Sequence, residues 1–248
     1  MPSMCASMRN MRRLICLLAV LVMCGAAAAH AEAALTWTEG QQTYPEGGEW
    51  TYRYTYRYPV LTDDTPAAAS VNAWFDVAFR EMDDLILPMF ASEADMAGDG
   101  KSEISQQYAV TCNNDAFFSI LLTQTQVLGE QTMVSLSGQV FAMSGEYLGD
   151  TLTLRGLLGV GESSTQIAEA IVADVYKRVQ SVEGALHRWP DIDRFYEDFD
   201  PETQFYADQD GNAVFFLQPG VLDTAPDVMT FTYTAQEAEA LLMPLGTP

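Results

Sequence analysis

Histidine, cysteine and basic side chains are scarce in this sequence of 248 residues, which contains two His, four Cys and 12 Lys or Arg. Acidic residues number 34, so the formal net charge is -22. This balance excludes a nucleic-acid-binding function, because such proteins need Lys and Arg to displace counterions from phosphate. Hydrophobic residues are not scarce: at 48%, they exclude a disordered chain and suffice for a buried core.

The first 31 residues have the features of a secretory signal peptide. Arginines precede an uncharged stretch at residues 14–29, and Ala29-His30-Ala31 is typical of a signal-peptidase site. This apolar run is shorter than the about 20 residues that cross a bilayer, so we expect cleavage after Ala31 and no transmembrane span afterwards. We therefore predict an exported protein, periplasmic or extracellular, with an uncleaved anchor or lipid attachment at Cys24 as alternatives.

Cleavage would remove three arginines and no acidic residue, leaving nine basic and 34 acidic side chains and a net charge of -25. It would also leave Cys112 as the only cysteine of the sequence, which excludes an internal disulfide. Alternate residues that precede it form an inward-facing set of mostly apolar side chains: Ile104, Gln106, Tyr108 and Val110. The alternation indicates a strand and favours a buried, unreactive thiol over a reactive one.

Strand and helix patterns are not regularly alternated, which predicts an α+β fold with one or more antiparallel sheets packed against a few amphipathic helices. After the signal peptide, residues 1–31, we distinguish two regions. Residues 32–100 form an N-terminal strand-helix region, and residues 101–248 form a C-terminal α+β region. We expect the two regions to pack as one unit.

In the N-terminal region, aromatic residues alternate from Trp50 to Tyr58, which predicts a strand with one aromatic face. Residues 32–48 are predicted to be rich in turns. Apolar spacings of three and four over residues 71–86 predict a helix that ends before Pro88 and has Leu85 and Ile86 among its inward positions. An acidic loop is expected to follow at residues 92–101.

In the C-terminal region, segments rich in strand-favouring residues are interrupted by turn residues, which predicts three antiparallel strands between Ser102 and about Met143. The turns are expected at residues 113–115 and 129–130. A capping box at residues 163–166 predicts the start of a second helix, and Pro190 the start of a third. The remaining predicted elements are a short strand at 151–158, strands at 203–207, 213–218 and 228–233, and a helix at 235–242.

Several segments carry a resemblance to a known family. They are residues 58–61 (YPVL), 71–75 (VNAWF), Tyr108, 117–123, 152–158 and 205–219. These segments resemble the extracytoplasmic domain of the lysozyme-binding anti-sigma-V factor, an RsiV-like domain of unknown function with an N-terminal partner region. The resemblance implies a free-standing exported module of the sensing or binding type. About a dozen residues precede the apolar segment, so we expect no cytoplasmic sigma-binding region.

The sequence departs from the family at two loops. Gly129-Glu130-Gln131-Thr132 replaces a turn similar to Gly-Gly-Ala-His, and Gly220-Val221 replaces the usual Tyr-Glu. Ligand contacts are commonly made by loops, so the resemblance carries the family fold further than it carries any family ligand site.

Motifs for catalysis, metal binding and cofactor binding are absent or incomplete in the sequence. His187 is the one histidine beyond the predicted signal peptide, and no Gly-x-Ser-x-Gly motif accompanies it. The glycines at 159–164 lack the third glycine of a dinucleotide loop. Residues 208–212 resemble part of a calcium loop but are better explained as a hairpin turn. We predict no catalytic residue, no metal and no cofactor.

Two groups of residues are candidates for binding. One is an acidic cluster: Asp191, Asp193, Asp198, Asp200 and Glu202. The other is Tyr54 and Tyr56 on the aromatic strand, whose rings could stack on sugars, although a core role with hydroxyls reaching the rim is favoured. Arg53 and Arg57 on the opposite face are expected to pair with nearby acids.

Two functional hypotheses follow. The leading one is a noncatalytic exported binding or sensing module for a cationic or cell-wall-associated ligand such as lysozyme, because an anionic field accelerates encounter with basic proteins. Solubility alone could also explain the charge. The second hypothesis is a carboxylate-dependent enzyme or accessory protein acting on cell-wall glycan. The sequence favours a noncatalytic role without excluding an enzyme.

Overall fold

The structure is a computed structural model that describes residues 32–44, 52–96, 101–159, 164–222 and 228–242. The predicted signal peptide, Trp50 and Ser163 of the predicted capping box lie outside the described residues. Among the described residues, no helix is both long and apolar enough to cross a membrane. The predicted α+β fold class is confirmed, since the chain forms two β-sheets and several helices.

A five-stranded sheet is the largest element of the fold, and its strands lie in chain order. The strands are β1 (Leu35–Tyr44), β2 (Tyr52–Leu61), β3 (Ser102–Asn113), β4 (Phe117–Leu128) and β5 (Gln131–Ala142). All neighbours are antiparallel except β2 and β3, which are parallel, so the sheet is mixed rather than purely antiparallel. The prediction of turns at residues 32–48 was wrong for β1, whose polar side chains and exposed edge position leave no hydrophobic alternation to detect.

The predicted meander of β3, β4 and β5 is confirmed, and its two turns are where the sequence places them. In the first turn, Asn114 Oδ1 accepts hydrogen bonds from the backbone N–H groups of Ala116 and Phe117, both at 2.9 Å. In the second, Gly129 has a φ of 60°, a left-handed conformation that glycine adopts without steric penalty. Local turn chemistry sets the register next to the turns, but a bulge between Val110 and Cys112 then shifts the β3–β4 register by one residue.

One long helical segment packs on the first face of this sheet. It consists of α1 (Pro66–Glu81), a π-helical turn (Met82–Ile86) and α2 (Leu87–Met96). The prediction that the helix ends before Pro88 was wrong, and so was the loop predicted from residue 92. Pro88 lacks an N–H group, and its ring would clash with the carbonyl four residues earlier in a regular helix. The wider π turn just before Pro88 accommodates the ring, and the helix continues.

The second sheet is antiparallel and contains β6 (Phe205–Ala207), β7 (Ala213–Phe216) and β8 (Thr230–Tyr233). The remaining helices are α3 (Leu154–Leu158), α4 (Ser164–Val179), α5 (Ala185–Arg188), α6 (Ile192–Tyr196) and α7 (Ala235–Leu242). The strand predicted at 151–158 was wrong, because Thr153 Oγ1 caps α3 by accepting from the Gly156 N–H. Thr151 forms an isolated bridge with Phe141 instead.

The small sheet packs on the second face of the large one. The Ala207 N–H donates to Ser119 Oγ at 2.9 Å, joining β6 to β4. Gly138 of β5 lies so close to the Phe205 carbonyl that an added Cβ would overlap the oxygen. Gln218 exchanges two hydrogen bonds with the Leu136 backbone, at 2.8 and 2.9 Å. The large sheet is thus the middle layer between the long helical segment and the small sheet.

Candidate functional site

Two members of the predicted acidic cluster have structural roles. The Asp198 carboxylate accepts two hydrogen bonds from the Arg188 guanidinium, both at 2.8 Å, and a third from Trp189 Nε1 at 2.9 Å. Asp191 caps α6, since its Oδ1 accepts from the Arg194 N–H at 3.0 Å. These carboxylates hold the α5–α6 segment together.

Of the other three members, Asp193 lies on α6, and Asp200 and the partly buried Glu202 follow the end of this helix. Asp200 accepts hydrogen bonds from the Glu202 N–H and the Thr203 hydroxyl, both at 3.0 Å. Partial burial, together with the nearby Asp200 charge, raises the pKa of the Glu202 carboxyl. Asp193 is exposed in the first turn of α6.

The two candidate tyrosines lie under the long helical segment. Tyr54 is fully buried and donates a hydrogen bond to Gln106 Oε1 at 2.7 Å. Tyr56 packs against Phe79, with ring centroids 5.1 Å apart, and its hydroxyl covers Gly40. These rings therefore contribute to the core, and Tyr54 has no surface to offer a ligand.

The structure also shows the surroundings of the two arginines, the histidine and the cysteine that were considered in the sequence. Arg53 pairs with Glu103 at 2.6 Å, as expected, whereas Arg57 lies over the Trp37 ring with its Cζ atom 3.8 Å from the centroid. His187 is exposed on α5. Cys112 is buried, and burial raises the pKa of its thiol to about 11. Its structural environment is that of an unreactive thiol.

Residues 208–212 form the predicted hairpin turn between β6 and β7. Asp208 Oδ1 accepts hydrogen bonds from the backbone N–H groups of Asp210 and Asn212, at 3.0 and 2.9 Å. Gly211 has a φ of 80°. Across the part of the chain that the structure describes, no group of three or more His, Cys, Asp or Glu side chains is arranged to hold a metal ion.

A groove between the long helical segment and the large sheet is the strongest candidate for a binding site. Its volume is about 280 Å³. We call it the helix-sheet groove, and it is lined by Trp74, Ala78, Phe79, Glu81, Met82, Ile86, Gln106, Tyr108, Leu122 and Gln124. The helical residues form one wall, and β3 and β4 form the floor.

The floor of the helix-sheet groove carries a chain of hydrogen bonds. The Tyr54 hydroxyl donates to Gln106 Oε1, and Gln106 Nε2 donates to Gln124 Oε1 at 2.9 Å. Gln106 is only 7% exposed, so its amide is held by these two partners. Gln124 is partly exposed, and its Nε2 hydrogens have no partner among the described residues. Gln124 lines the groove, so this series of hydrogen bonds ends in a donor group at the groove.

Sequence reasoning did not identify this site. The available signal was Gln106, a polar residue at an inward position of the alternation that leads to Cys112. A buried amide needs hydrogen-bond partners, and Gln124 occupies the directly opposite position on β4. That pairing depends on the register of two strands, which the alternation alone does not give.

The wall of the helix-sheet groove is shaped by the π-helical turn. Turns of this kind are often found at functional sites. The extra residue leaves Leu85 57% exposed and Ile86 39% exposed, although both were predicted to face inward. Ile86 borders the groove, and Leu85 lies on the outer surface.

The outer surface of the long helical segment is both acidic and apolar. Asp76, Asp83, Asp84 and Glu93 are exposed carboxylates on this segment, which also exposes Glu81 at the groove and one basic residue, Arg80. Its exposed apolar side chains include Val77, Leu85 and Met89, besides Ile86 at the groove and Met96 at the end of the segment. We call Asp76, Asp83, Asp84 and Glu93, together with Val77, Leu85 and Met89, the acidic helix surface.

A second concavity, of about 450 Å³, lies between α4 and α7. It is lined by Gln166, Glu169, Ala170, Leu241 and Leu242. Its described lining residues include neither an aromatic side chain nor a buried polar group, and for this reason the helix-sheet groove is the better candidate.

No protein-family model matches the sequence, and no curated protein matches it. Among solved structures, the fold is similar to that of a DUF3298 family protein from Pseudomonas aeruginosa, with a TM-score of 0.54 and 12% identity, over 87% of this chain and 98% of that chain. A DUF3298 family member from Bacteroides fragilis aligns with a TM-score of 0.45 and 13% identity, over 84% and 93% of the two chains. The Pseudomonas likeness shows a shared fold with a domain of unknown function.

Proposed function

We propose that this protein is an exported, noncatalytic binding or sensing module whose partner is a cationic protein of the cell wall, such as lysozyme. The observation that carries the proposal is the distribution of charge. Four arginines are held in internal ion pairs: Arg53 with Glu103, Arg178 with Asp174, Arg188 with Asp198 and Arg194 with Glu197. The positive charge of these four arginines is thereby neutralised, while most carboxylates of the described residues are exposed.

The acidic helix surface is where we expect a cationic partner to dock. Its carboxylates attract basic side chains over distances of about a Debye length, roughly 10 Å at 0.1 M salt. Leu85 and Met89, 57% and 55% exposed, offer apolar area that becomes buried on contact. Charge of one sign accelerates encounter, and apolar burial slows dissociation.

The family resemblance supports the choice of partner. The sequence segments similar to the RsiV-like domain imply a lysozyme-binding type of module. The fold shared with a DUF3298 protein is consistent with a domain of this type. It does not identify a binding partner, because the two sequences are only 12% identical. Lysozyme is therefore proposed on the resemblance and the charge together.

Titration of the purified protein with hen lysozyme, at low and at high salt, tests the proposal. We expect saturable binding that weakens with salt and exceeds the binding of an unrelated protein of similar negative charge. Equal, weak binding by both proteins would remove the proposal.

A pair of matched double variants tests the docking surface. Asp84→Asn with Glu93→Gln removes two charges from the acidic helix surface, and Glu146→Gln with Glu239→Gln removes two exposed charges elsewhere. We expect the first pair to weaken lysozyme binding at least tenfold and the second to change it less than threefold. Equal effects would show that overall charge, and not this surface, governs binding.

Hydrolysis of wall glycan by carboxylates is a second candidate function, with one observation in its favour. Glu202 has a raised pKa and lies beside Asp200, and glycosidases use one protonated and one ionised carboxyl group. Incubation of the protein with purified peptidoglycan, followed by an assay for released reducing ends, tests this candidate. Release by the wild type that is lost in Glu202→Gln would establish hydrolysis, and no release above buffer would eliminate it.

A further inference from the structure

We propose that the helix-sheet groove binds a sugar that carries an acetamido group, such as the aminosugar units of wall glycans. The site is separate from the acidic helix surface, and the inference does not depend on a protein partner. It rests on the match between the groove's donors, acceptors and aromatic rings and the groups that such a sugar presents.

The first step of the argument is the donor at the end of the hydrogen-bond chain. Because Gln124 Oε1 already accepts a hydrogen bond from Gln106, the Nε2 hydrogens of Gln124 are the part of this amide that is available to a ligand. A ligand must present an acceptor to this amide, and an acetamido carbonyl oxygen is one. A lysine or arginine side chain has only donors to offer, so a basic side chain does not satisfy the site.

The second step is the apolar wall. Trp74 borders the groove and makes edge contacts with Phe75 and Phe141, with centroids 5.2 and 5.5 Å apart, which fix its ring. The face of an aromatic ring is electronegative, and the C–H groups on the face of a sugar ring carry partial positive charge. A purely apolar ligand would instead cover the Gln124 Nε2 group without giving it a partner, which costs about 1–3 kcal/mol for a buried unsatisfied group.

The third step is the polar surroundings of the floor. Ser135 and Ser137 of β5 lie directly opposite Gln124 and Leu122 of β4, on the same face of the sheet, and both are exposed. Glu81 lies at the rim and can accept a hydrogen bond from a hydroxyl group. The groove volume of about 280 Å³ is just under the range of about 300–1,000 Å³ that is typical of small-molecule pockets. The groove therefore suits one sugar ring. A second ring of the same glycan would lie over Ser135 and Ser137.

Calorimetric titration with chitobiose, the disaccharide of N-acetylglucosamine, tests the inference, with cellobiose as the control because it lacks acetamido groups. We expect chitobiose to bind with a millimolar or lower Kd and cellobiose to bind at least tenfold more weakly. Absence of chitobiose binding, or equal binding of the two sugars, would overturn the inference. This comparison uses only the wild-type protein and does not depend on any variant.

A matched pair of variants tests the position of the site. Gln124→Glu keeps the acceptor for Gln106 and removes the two Nε2 hydrogens, while Gln126→Glu makes the same change two residues along β4, outside the groove lining. We expect Gln124→Glu to weaken chitobiose binding at least tenfold and Gln126→Glu less than twofold, with unchanged melting temperatures. Equal weakening by both variants would overturn the assignment to this groove.

Discussion

Met82 and Leu87 lie five residues apart in the long helical segment and are both buried, at 5% and 3% exposure. Residues that share a face of a regular helix are three or four apart. The π-helical turn adds the extra residue, so Leu87 takes the inward position that residue 85 or 86 would hold in a regular helix. Phe90 and Ala94 continue the buried face in ordinary spacing.

Alanine substitutions at Leu87 and Leu85 test this change of phase. Leu87→Ala should lower the free energy of unfolding by about 2–5 kcal/mol, because it removes a buried side chain and leaves a cavity. Leu85→Ala should change it by less than about 0.5 kcal/mol, because Leu85 is on the surface. Urea unfolding measures both values. Equal losses would contradict this change of phase, and a larger loss for Leu85→Ala would indicate a regular helix.

Gly138→Ala should destabilise the packing between the two sheets. The added Cβ would overlap the Phe205 carbonyl oxygen, so β6 must move away from β5. Overpacking of this kind costs about 1–3 kcal/mol and sometimes more. Ser137→Ala, at the exposed neighbouring position, is the control and should change stability little. A Gly138→Ala protein that is as stable as the wild type would contradict the close approach.

Asp198→Ala should destabilise the protein by about 1–3 kcal/mol, because it leaves the buried Trp189 indole N–H without an acceptor. The Arg188 guanidinium, half exposed, can return to water and adds less. Asp193→Ala, five residues earlier and exposed, is the matched control and should cost less than about 1 kcal/mol. Thermal and urea unfolding measure the stability of both variants. Equal losses of stability in Asp193→Ala and Asp198→Ala would contradict the prediction.

Glu202 should make stability depend on pH. Because its pKa is raised in the folded state, the folded protein binds more protons than the unfolded chain in the interval between the two pKa values. Stability therefore falls as the pH rises through that interval, which begins near the ordinary glutamate value of about 4.3. Glu202→Gln should be more stable than the wild type above this interval and equally stable below it.

Urea midpoints of the wild type and Glu202→Gln, measured across this pH range, test the prediction. Glu239→Gln, at an exposed position on α7, controls for the loss of one surface charge. A Glu202→Gln protein that is less stable than the wild type at neutral pH would show that the ionised carboxylate stabilises the fold.

The sequence allowed the meander of β3, β4 and β5 to be predicted because both of its turns use residues with strong local preferences. The same was true of α7 and of the hairpin at residues 208–212, whose Asp208 and Gly211 have defined turn roles. Strand β1 could not be predicted because it has no inward apolar face. Helix α3 was missed although Thr153 caps its start and its buried residues, Leu154, Leu157 and Leu158, have helical spacing. That error came from choosing the wrong local pattern and not from tertiary contacts.

The helix-sheet groove could not be predicted because it depends on two non-local facts. One is the register that places Gln106 opposite Gln124. The other is the continuation of the helix through Pro88, which positions Ile86 at the groove. Proline ordinarily predicts the end of a helix, and only the wider turn before it removes the steric conflict. The acidic cluster, by contrast, was visible in sequence, but two of its five carboxylates, Asp191 and Asp198, serve as a helix cap and an ion-pair partner.

The parallel pairing of β2 with β3 has a consequence for how the chain folds. Tyr44 pairs with the nearby Tyr52, whereas Tyr52 also pairs with Ser102, beyond the whole helical segment. The β1–β2 hairpin on one side of the β2–β3 junction and the β3–β5 meander on the other can each form early, because closing their short loops costs little entropy. Joining them requires the longest loop in the large sheet to close, so we expect this junction to form late and to limit the folding rate.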